Sequence, residues 1–199
     1  KGDENFRLFG VDKDGKNQKD LTPFDKVRAG VVDDFVDNPN EMLIQMNKEN
    51  PQVFDVYRIN VNTGEMIVVG QNPGNITGWQ TDHNGKLRIA ITTDGVNQSI
   101  LYRDSEDQEF KPLLTTTFKE TFAPLFFTFD NKNLYVSSNI GRDKASIVEY
   151  DIANKKEIKV LYENPDYDVT GLSYSRKRKV IEFANYTAWK QEYYFFDNE

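Results

Sequence analysis

Short hydrophobic runs alternate with polar, turn-forming clusters along almost the whole chain, and the alternation is periodic. The dipeptides Ala29-Gly30, Thr77-Gly78, Ala123-Pro124 and Thr170-Gly171 each open a run that reads as a strand, and their second residues fall 48, 46 and 47 positions apart. A second comb runs in phase with the first. Phe9, Tyr57, Tyr102, Tyr150 and Phe196 each close a strand near an acidic or turn-forming residue, at gaps of 48, 45, 48 and 46. Self-similarity at a fixed period in this range marks a repeat architecture, and four strand-like runs per period point to propeller blades rather than to helical solenoid units.

Each period divides into strands a, b, c and d. Strand a is expected at 30–34, 78–82, 125–130 and 171–175, and strand b at 42–46, 87–92, 134–138 and 180–184. Strand c occurs five times, at 6–11, 56–61, 100–104, 147–150 and 193–196, and strand d at 19–22, 66–69, 112–115 and 158–162. The connections supply what hairpins need. Asp12-Lys13-Asp14-Gly15, Asn62-Thr63-Gly64, Asp82-His83-Asn84-Gly85 and Asp130-Asn131-Lys132-Asn133 bring Gly and Asn to positions where positive φ costs little. No segment shows a capped helical stripe, so almost no helix is expected.

The fold class predicted is therefore all-β: a partial β-propeller of three complete four-stranded blades and two incomplete ones. The single array divides into a partial blade at 1–26, blades at 27–73, 74–120 and 121–166, and a partial blade at 167–199. The series begins and ends on a c strand, which suggests a piece of a longer propeller, because open sheet edges invite association. Closure into a four-bladed ring is the other arrangement, and it leaves one c strand redundant. Open blade faces lead us to expect self-association of the isolated chain.

Charge narrows the partners. The chain of 199 residues carries a net charge of −7, which repels phosphate backbones and anionic lipid, so neither nucleic acid nor membrane is an expected partner. No run approaches the length of a membrane span, and Lys1-Gly2-Asp3-Glu4-Asn5 lacks a hydrophobic signal core. A soluble chain is expected, with cytoplasm and periplasm both compatible. There is no cysteine, which removes disulfides, thiolate nucleophiles and cysteine zinc sites. Aromatics at 13% suit flat side chains that fill the space between stacked sheets.

Several segments resemble the N-terminal β-propeller of prolyl oligopeptidase family (S9) serine peptidases, nearest the acylaminoacyl-peptidase-like and dipeptidyl-peptidase-like members. They are Asn72-Pro73-Gly74-Asn75-Ile76-Thr77-Gly78-Trp79, Ser138-Asn139-Ile140-Gly141-Arg142-Asp143-Lys144 and Leu172-Ser173-Tyr174-Ser175-Arg176-Lys177-Arg178-Lys179. Asp104-Ser105-Glu106-Asp107 and Phe126-Phe127-Thr128-Phe129-Asp130 fit the same pattern. The resemblance implies a propeller of about seven or eight blades, of which this chain is about half. It also implies an α/β-hydrolase domain with a Ser-Asp-His triad as the partner, and short peptides as the substrates that the propeller admits to it. The hydrolase half is not in this sequence, so the chain itself is expected to be non-catalytic. A TolB-like or WD40-like interaction platform is the alternative, and a sugar-active propeller enzyme with paired carboxylates is a weaker one because the acids fall mainly at turns.

No residue here is assigned a catalytic, cofactor-binding or metal-binding role. The nearest match to a nucleophile elbow, Gly171-Leu172-Ser173-Tyr174-Ser175, lacks the final glycine and stands in register with three other a strands. His83, the only histidine, falls in a hairpin tip and reads as a solvated turn residue. Asp12, Asp14 and Gly15 suggest a calcium loop, but positions six and twelve are Asn17 and Pro23, which reduces them to turn chemistry. The run from Arg176 to Lys179 reads as a solvated hairpin tip, with docking to an acidic surface as the alternative. N-x-S/T triplets at Asn75, Asn97 and Asn185 carry little weight. Arg142 and Asp143 are singled out as an Arg-Asp pair that braces a loop or presents a guanidinium to a substrate carboxylate. Trp189 lies in the aromatic segment 186–196, read first as core and inter-blade packing and second as a peptide-contacting surface.

Overall fold

The computed structural model describes residues 4–196, and among them it contains strands and no helix. Residues 1–3 and 197–199, the extremes of the two expected partial blades, lie outside the described residues, as does the start of the hydrophilic N-terminal stretch. A leading pair, β1 (Phe9–Gly10) and β2 (Lys19–Asp20), is followed by three four-stranded antiparallel meanders. The first blade holds β3 (Ala29–Asp33), β4 (Glu41–Met46), β5 (Asp55–Asn60) and β6 (Met66–Gly70). The second holds β7 (Ile76–Thr81), β8 (Leu87–Thr93), β9 (Gln98–Tyr102) and β10 (Lys111–Thr116). The third holds β11 (Phe122–Phe127), β12 (Asn133–Ser138), β13 (Ser146–Asp151) and β14 (Lys156–Tyr162). A trailing three-stranded sheet of β15 (Val169–Ser175), β16 (Val180–Thr187) and β17 (Gln191–Phe195) completes the array. The protein is a partial β-propeller with three complete blades and two incomplete ones.

The repeated dipeptides play a different part from the one their sequence suggests. They lie inside the first strand of each sheet, and at Thr77 and Thr170 the pairing skips a residue, leaving a β-bulge. A bulge adds one unpaired residue and sharpens the local twist, and glycine next to it lets the neighbouring strand approach closely. Gly171 shows why: a Cβ there would stand 2.0 Å from Oδ1 of Asn185 on the paired strand.

The core lies between sheets, with one apolar cluster at each junction. Leu21 of the leading segment packs with Ile44, Tyr57 and Ile59 of the first blade. Leu43 and Val56 on the opposite face of that blade meet Leu87 and Trp79 of the second. Ile89, Ile100 and Leu113 meet Phe122, Leu134 and Val148, and Ile147 then meets Val169 and Ala184 of the trailing sheet. Consecutive residues such as Leu43 and Ile44, or Ile147 and Val148, thus serve opposite junctions, which is why the central strands read as continuous hydrophobic runs. The fourth strands β6 and β14 leave Ile67, Val68, Ile158 and Val160 exposed at the outer rim.

Candidate functional site

The first strands of adjacent sheets touch one another, which places them at the inner side of the array. Thr81 Oγ1 of β7 donates to Asp33 Oδ2 of β3 through a short hydrogen bond, and the rings of Phe126 on β11 and Tyr174 on β15 lie 4.3 Å apart. The hairpins that follow these strands gather around His83. Its backbone N–H donates to Asn131 Oδ1 at 2.9 Å, and its Nε2 stands 2.8 Å from the carbonyl oxygen of Phe127, so that nitrogen carries the proton in this bond. The ring stacks on Phe129 at 5.4 Å and meets Tyr174 edge-on at 5.3 Å. His83 is therefore in a hairpin tip, as the sequence suggested, but it is half-buried between blades rather than solvated. Burying one imidazole against three rings and two polar partners satisfies both its apolar body and its N–H.

Beside His83 opens a pocket of 340 Å³ lined by Asp33, Asp37, Arg58 and Arg176 among others. Burial pulls the Arg176 guanidinium down, but its hydrogen bond to Tyr174 and the fields of Asp33 and Asp37 outweigh that and hold it above its ordinary value. Arg176 thus leaves the solvated tip expected for it and faces acids of the first blade, while Lys177, Arg178 and Lys179 stay exposed. The charge of this pocket is mixed, with Asp33, Asp37 and Glu41 against Arg58, Lys86 and Arg176.

Three further guanidinium groups hold neighbouring blades in place, and all three escaped the sequence reading. Arg58 on β5 donates to Glu106 Oε1 at 2.9 Å and to the Gly85 carbonyl at 3.0 Å, with its guanidinium 4.9 Å from the Phe35 ring. Arg103, 7% exposed, donates to the carbonyls of Leu87 at 2.8 Å, Glu106 at 3.2 Å, Gln108 at 3.4 Å and, across the junction, Val69 at 2.7 Å. Burial lowers its pKa. Arg88, 8% exposed, donates to the Asn131 carbonyl at 2.9 Å in the third blade and makes a short bond to the hydroxyl of Tyr102, which in turn donates to Asp104 at 2.7 Å. Burial, and then that bond to Asp104, push Tyr102 up to about 12. The signal available in the sequence was a single arginine inside an otherwise apolar strand, as in Val56-Tyr57-Arg58-Ile59 and Leu87-Arg88-Ile89; a charge there must be paired and multiply hydrogen-bonded. Asp33 and Thr81, and His83 and Asn131, are each 48 residues apart, so these two contacts link equivalent positions of successive blades.

The residues singled out from the sequence sit at the opposite end. Arg142 does not pair with Asp143: its guanidinium grips Glu157 of β14 through both terminal nitrogens and reaches the carbonyls of Ser138 and Ile140. That hydrogen bond to Glu157 raises its pKa, even against burial. Asp143 is exposed and pairs with Lys144 at 3.2 Å. Trp189, in the turn between β16 and β17, is 86% exposed with the Lys190 ammonium 5.0 Å from its ring. It is not core, although Tyr194 nearby does stack on Tyr162 across the junction at 4.1 Å. Ser173 lies mid-strand in β15 with its hydroxyl 3.3 Å from Glu182. Asp12 and Asp14 accept hydrogen bonds from Asn17 and the Lys16 backbone, which is turn chemistry. Among the described residues no group of three His, Asp or Glu side chains is arranged to hold a metal ion.

No protein-family model matches the chain. It is 32% identical over 179 residues to dipeptidyl aminopeptidase BIII of Pseudoxanthomonas mexicana, covering 85% of this chain and 25% of that protein. The chain thus spans about a quarter of the length of this curated relative. Among solved structures it resembles Porphyromonas gingivalis dipeptidyl peptidase 4 with a TM-score of 0.59 at 14% identity, covering 98% of this chain and 35% of that one. It also resembles TolB from Acinetobacter baumannii with a TM-score of 0.58 at 15% identity, covering 92% and 43%. At such identities the structural likenesses show the fold, and the sequence relative shows the family: the chain belongs to the N-terminal propeller of the prolyl oligopeptidase (S9) peptidase family.

Proposed function

We propose that this propeller segment is a non-catalytic gate, admitting short peptides to an α/β-hydrolase domain elsewhere in a longer polypeptide and docking on that domain through one end of the blade array. The observation that carries the reading is an asymmetry between the two ends. From β7 onward the exposed large apolar residues of the loops are Val96, Phe118, Tyr167 and Trp189, and all four lie on b–c or d–a connections. The a–b and c–d hairpins of the same sheets contribute none among the described residues, and in the leading pair and first blade that end shows only Val11 and Val36. Apolar side chains gathered on one rim mark a surface that a folded partner covers. Arg142 and Asp143 lie on that rim, where Asp143 and Lys144 supply polar contacts at its edge. The mixed-charge pocket beside Arg176 then forms the far mouth of the passage. Excluding large substrates requires only a rigid ring and a narrow opening, so no reactive side chain is needed within these blades.

The test uses the open reading frame extended beyond Glu199. A G-x-S-x-G elbow followed by Asp and His supports the gate, and in that longer protein replacing Phe118 and Trp189 with Ala is expected to raise kcat/KM for long peptides relative to dipeptide-releasing short ones by about tenfold. An unchanged ratio overturns the docking assignment. A stop codon soon after ring closure overturns the gate and leaves the TolB-like platform, which the fold likeness also accommodates.

A further inference from the structure

We infer that the cleft between the second and third blades is a binding site for a small carboxylate with an apolar body. The cleft holds 670 Å³, within the range of small-molecule sites, and lies at the end opposite the apolar rim. The bulge at Leu113 shapes one wall: the pairing of β10 with β9 skips from Pro112 to Leu114, which turns Pro112 and Leu113 into the cleft. Ile152 and Ala153, from the turn between β13 and β14, form the facing wall. Leu113 and Ile152 are both buried, so an aliphatic or aromatic body entering here meets close-packed carbon rather than water.

Cations outnumber carboxylates among the side chains that line the cleft. Arg88, Arg103, Lys111, Lys132 and Lys155 line it, opposed by Asp104, Glu109 and Asp151. Two of these cations are paired with carboxylates, Arg88 with Asp82 at 3.4 Å and Asp104 at 3.8 Å, and Lys132 with Asp130 at 3.8 Å, which leaves Lys111 and Lys155 as the cleft's lysines without an ion pair among the described residues. Two of the carboxylates are already engaged. Asp104 accepts from the Tyr102 hydroxyl at 2.7 Å, and Asp151 accepts from the backbone and side chain of Asn154 at 2.9 and 2.7 Å. The lysines are not neutralised to the same degree. Lys132 is 3.8 Å from Asp130, Lys111 makes no ion pair among the described residues, and Lys155 donates to a neutral acceptor, the Pro112 carbonyl, at 3.1 Å. Lys155 holds φ of 52°, a left-handed conformation rare for lysine, and its side chain spans the cleft from the third blade to the second. An anion placed between Lys111 and Lys155 gains charge-assisted hydrogen bonds while its apolar part lies on Leu113 and Ile152.

The probe pair is N-acetyl-leucine, which offers the carboxylate and the apolar body, and N-acetyl-leucinamide, which has the same body without the charge. Calorimetric titration of the protein is expected to show saturable binding of the acid with Kd of about 1 mM or tighter, weakening as salt is raised, and at least tenfold weaker binding of the amide. Lys111→Gln and Lys155→Gln are each expected to weaken binding of the acid by about tenfold, with circular dichroism confirming that each variant is folded. Lys159→Gln, on the exposed face of β14, leaves affinity unchanged. Equal binding of acid and amide, no saturable binding of either, or wild-type affinity in Lys111→Gln overturns the inference. None of these results bears on the hydrolase gate, because the docking rim lies at the opposite end of the array and the far mouth beside Arg176 is a separate pocket with other lining residues.

Discussion

The junctions on either side of the second blade and the junction that precedes the trailing sheet solve one packing problem with different chemistry. Around the second blade, Arg58, Arg88 and Arg103 each reach across from one sheet to the next and end on carbonyls or a carboxylate. Between the third blade and the trailing sheet, the contacts include the ring pairs Phe126 on Tyr174 and Tyr162 on Tyr194, the apolar contact of Ile147 with Val169 and Ala184, and hydrogen bonds from the Ser137 hydroxyl to the Val169 carbonyl at 2.7 Å and from the Val169 N–H to the Ala145 carbonyl at 2.8 Å. A guanidinium has five donors in a rigid plane, so its acceptors define one distance and one angle between sheets. Stacked rings hold sheets together but tolerate sliding, because their energy changes slowly with offset. The first two junctions are therefore geometrically determined, and the last is adaptable. The gate proposed above would draw on both: blades fixed relative to one another, and a place where the array adjusts.

The largest effect expected from this contrast is at Arg103. Arg103→Met keeps much of the apolar stem but strands four carbonyls in a buried site, and we expect a loss of about 3 kcal/mol, measured by urea unfolding. A loss below about 1 kcal/mol would erase the distinction between the two kinds of junction. An intermediate effect is expected in alkali. The folded state raises Tyr102 from 10.0 to about 12, so the stability that comes from keeping this hydroxyl neutral is complete below pH 10 and disappears as pH rises through about 12. Thermal unfolding across that window should steepen with pH in the wild type and flatten in Tyr102→Phe; identical slopes would show that the Arg88–Tyr102–Asp104 chain is not coupled to folding. The smallest effect is at the aromatic junction, where Tyr194→Ala should cost about 1 kcal/mol and leave the unfolding cooperative. A cost rivalling that of Arg103→Met would mean that the stacks, too, specify geometry.

Tertiary contacts also explain which parts of the site were legible beforehand. Arg142 could be recognised as a loop brace from its setting among Gly141 and Asp143, but its partner Glu157 lies on β14, 15 residues away, where register decides the match. Trp189 could not be separated from packing residues by strand spacing, because it falls in the turn where that spacing breaks. His83 reads as a solvated turn in any one-blade view. Only the arrival of Phe129 and Tyr174 from later blades converts it to a packed residue.

What the amino-acid order determined alone is the list of strands. Period-two burial, Gly and Asn at hairpin turns and a repeat near 47 residues are local properties, and each repeat builds one sheet without reference to the others. What the tertiary structure decided is everything between sheets: that Thr77 and Thr170 mark bulges, that Arg58, Arg88 and Arg103 reach neighbouring blades, and that a cleft lined by Lys111 and Lys155 opens in an acidic chain. Those outcomes depend on the angle at which one twisted sheet rests on the next. That angle is set by the summed packing of side chains some 48 residues apart, which no local pattern encodes.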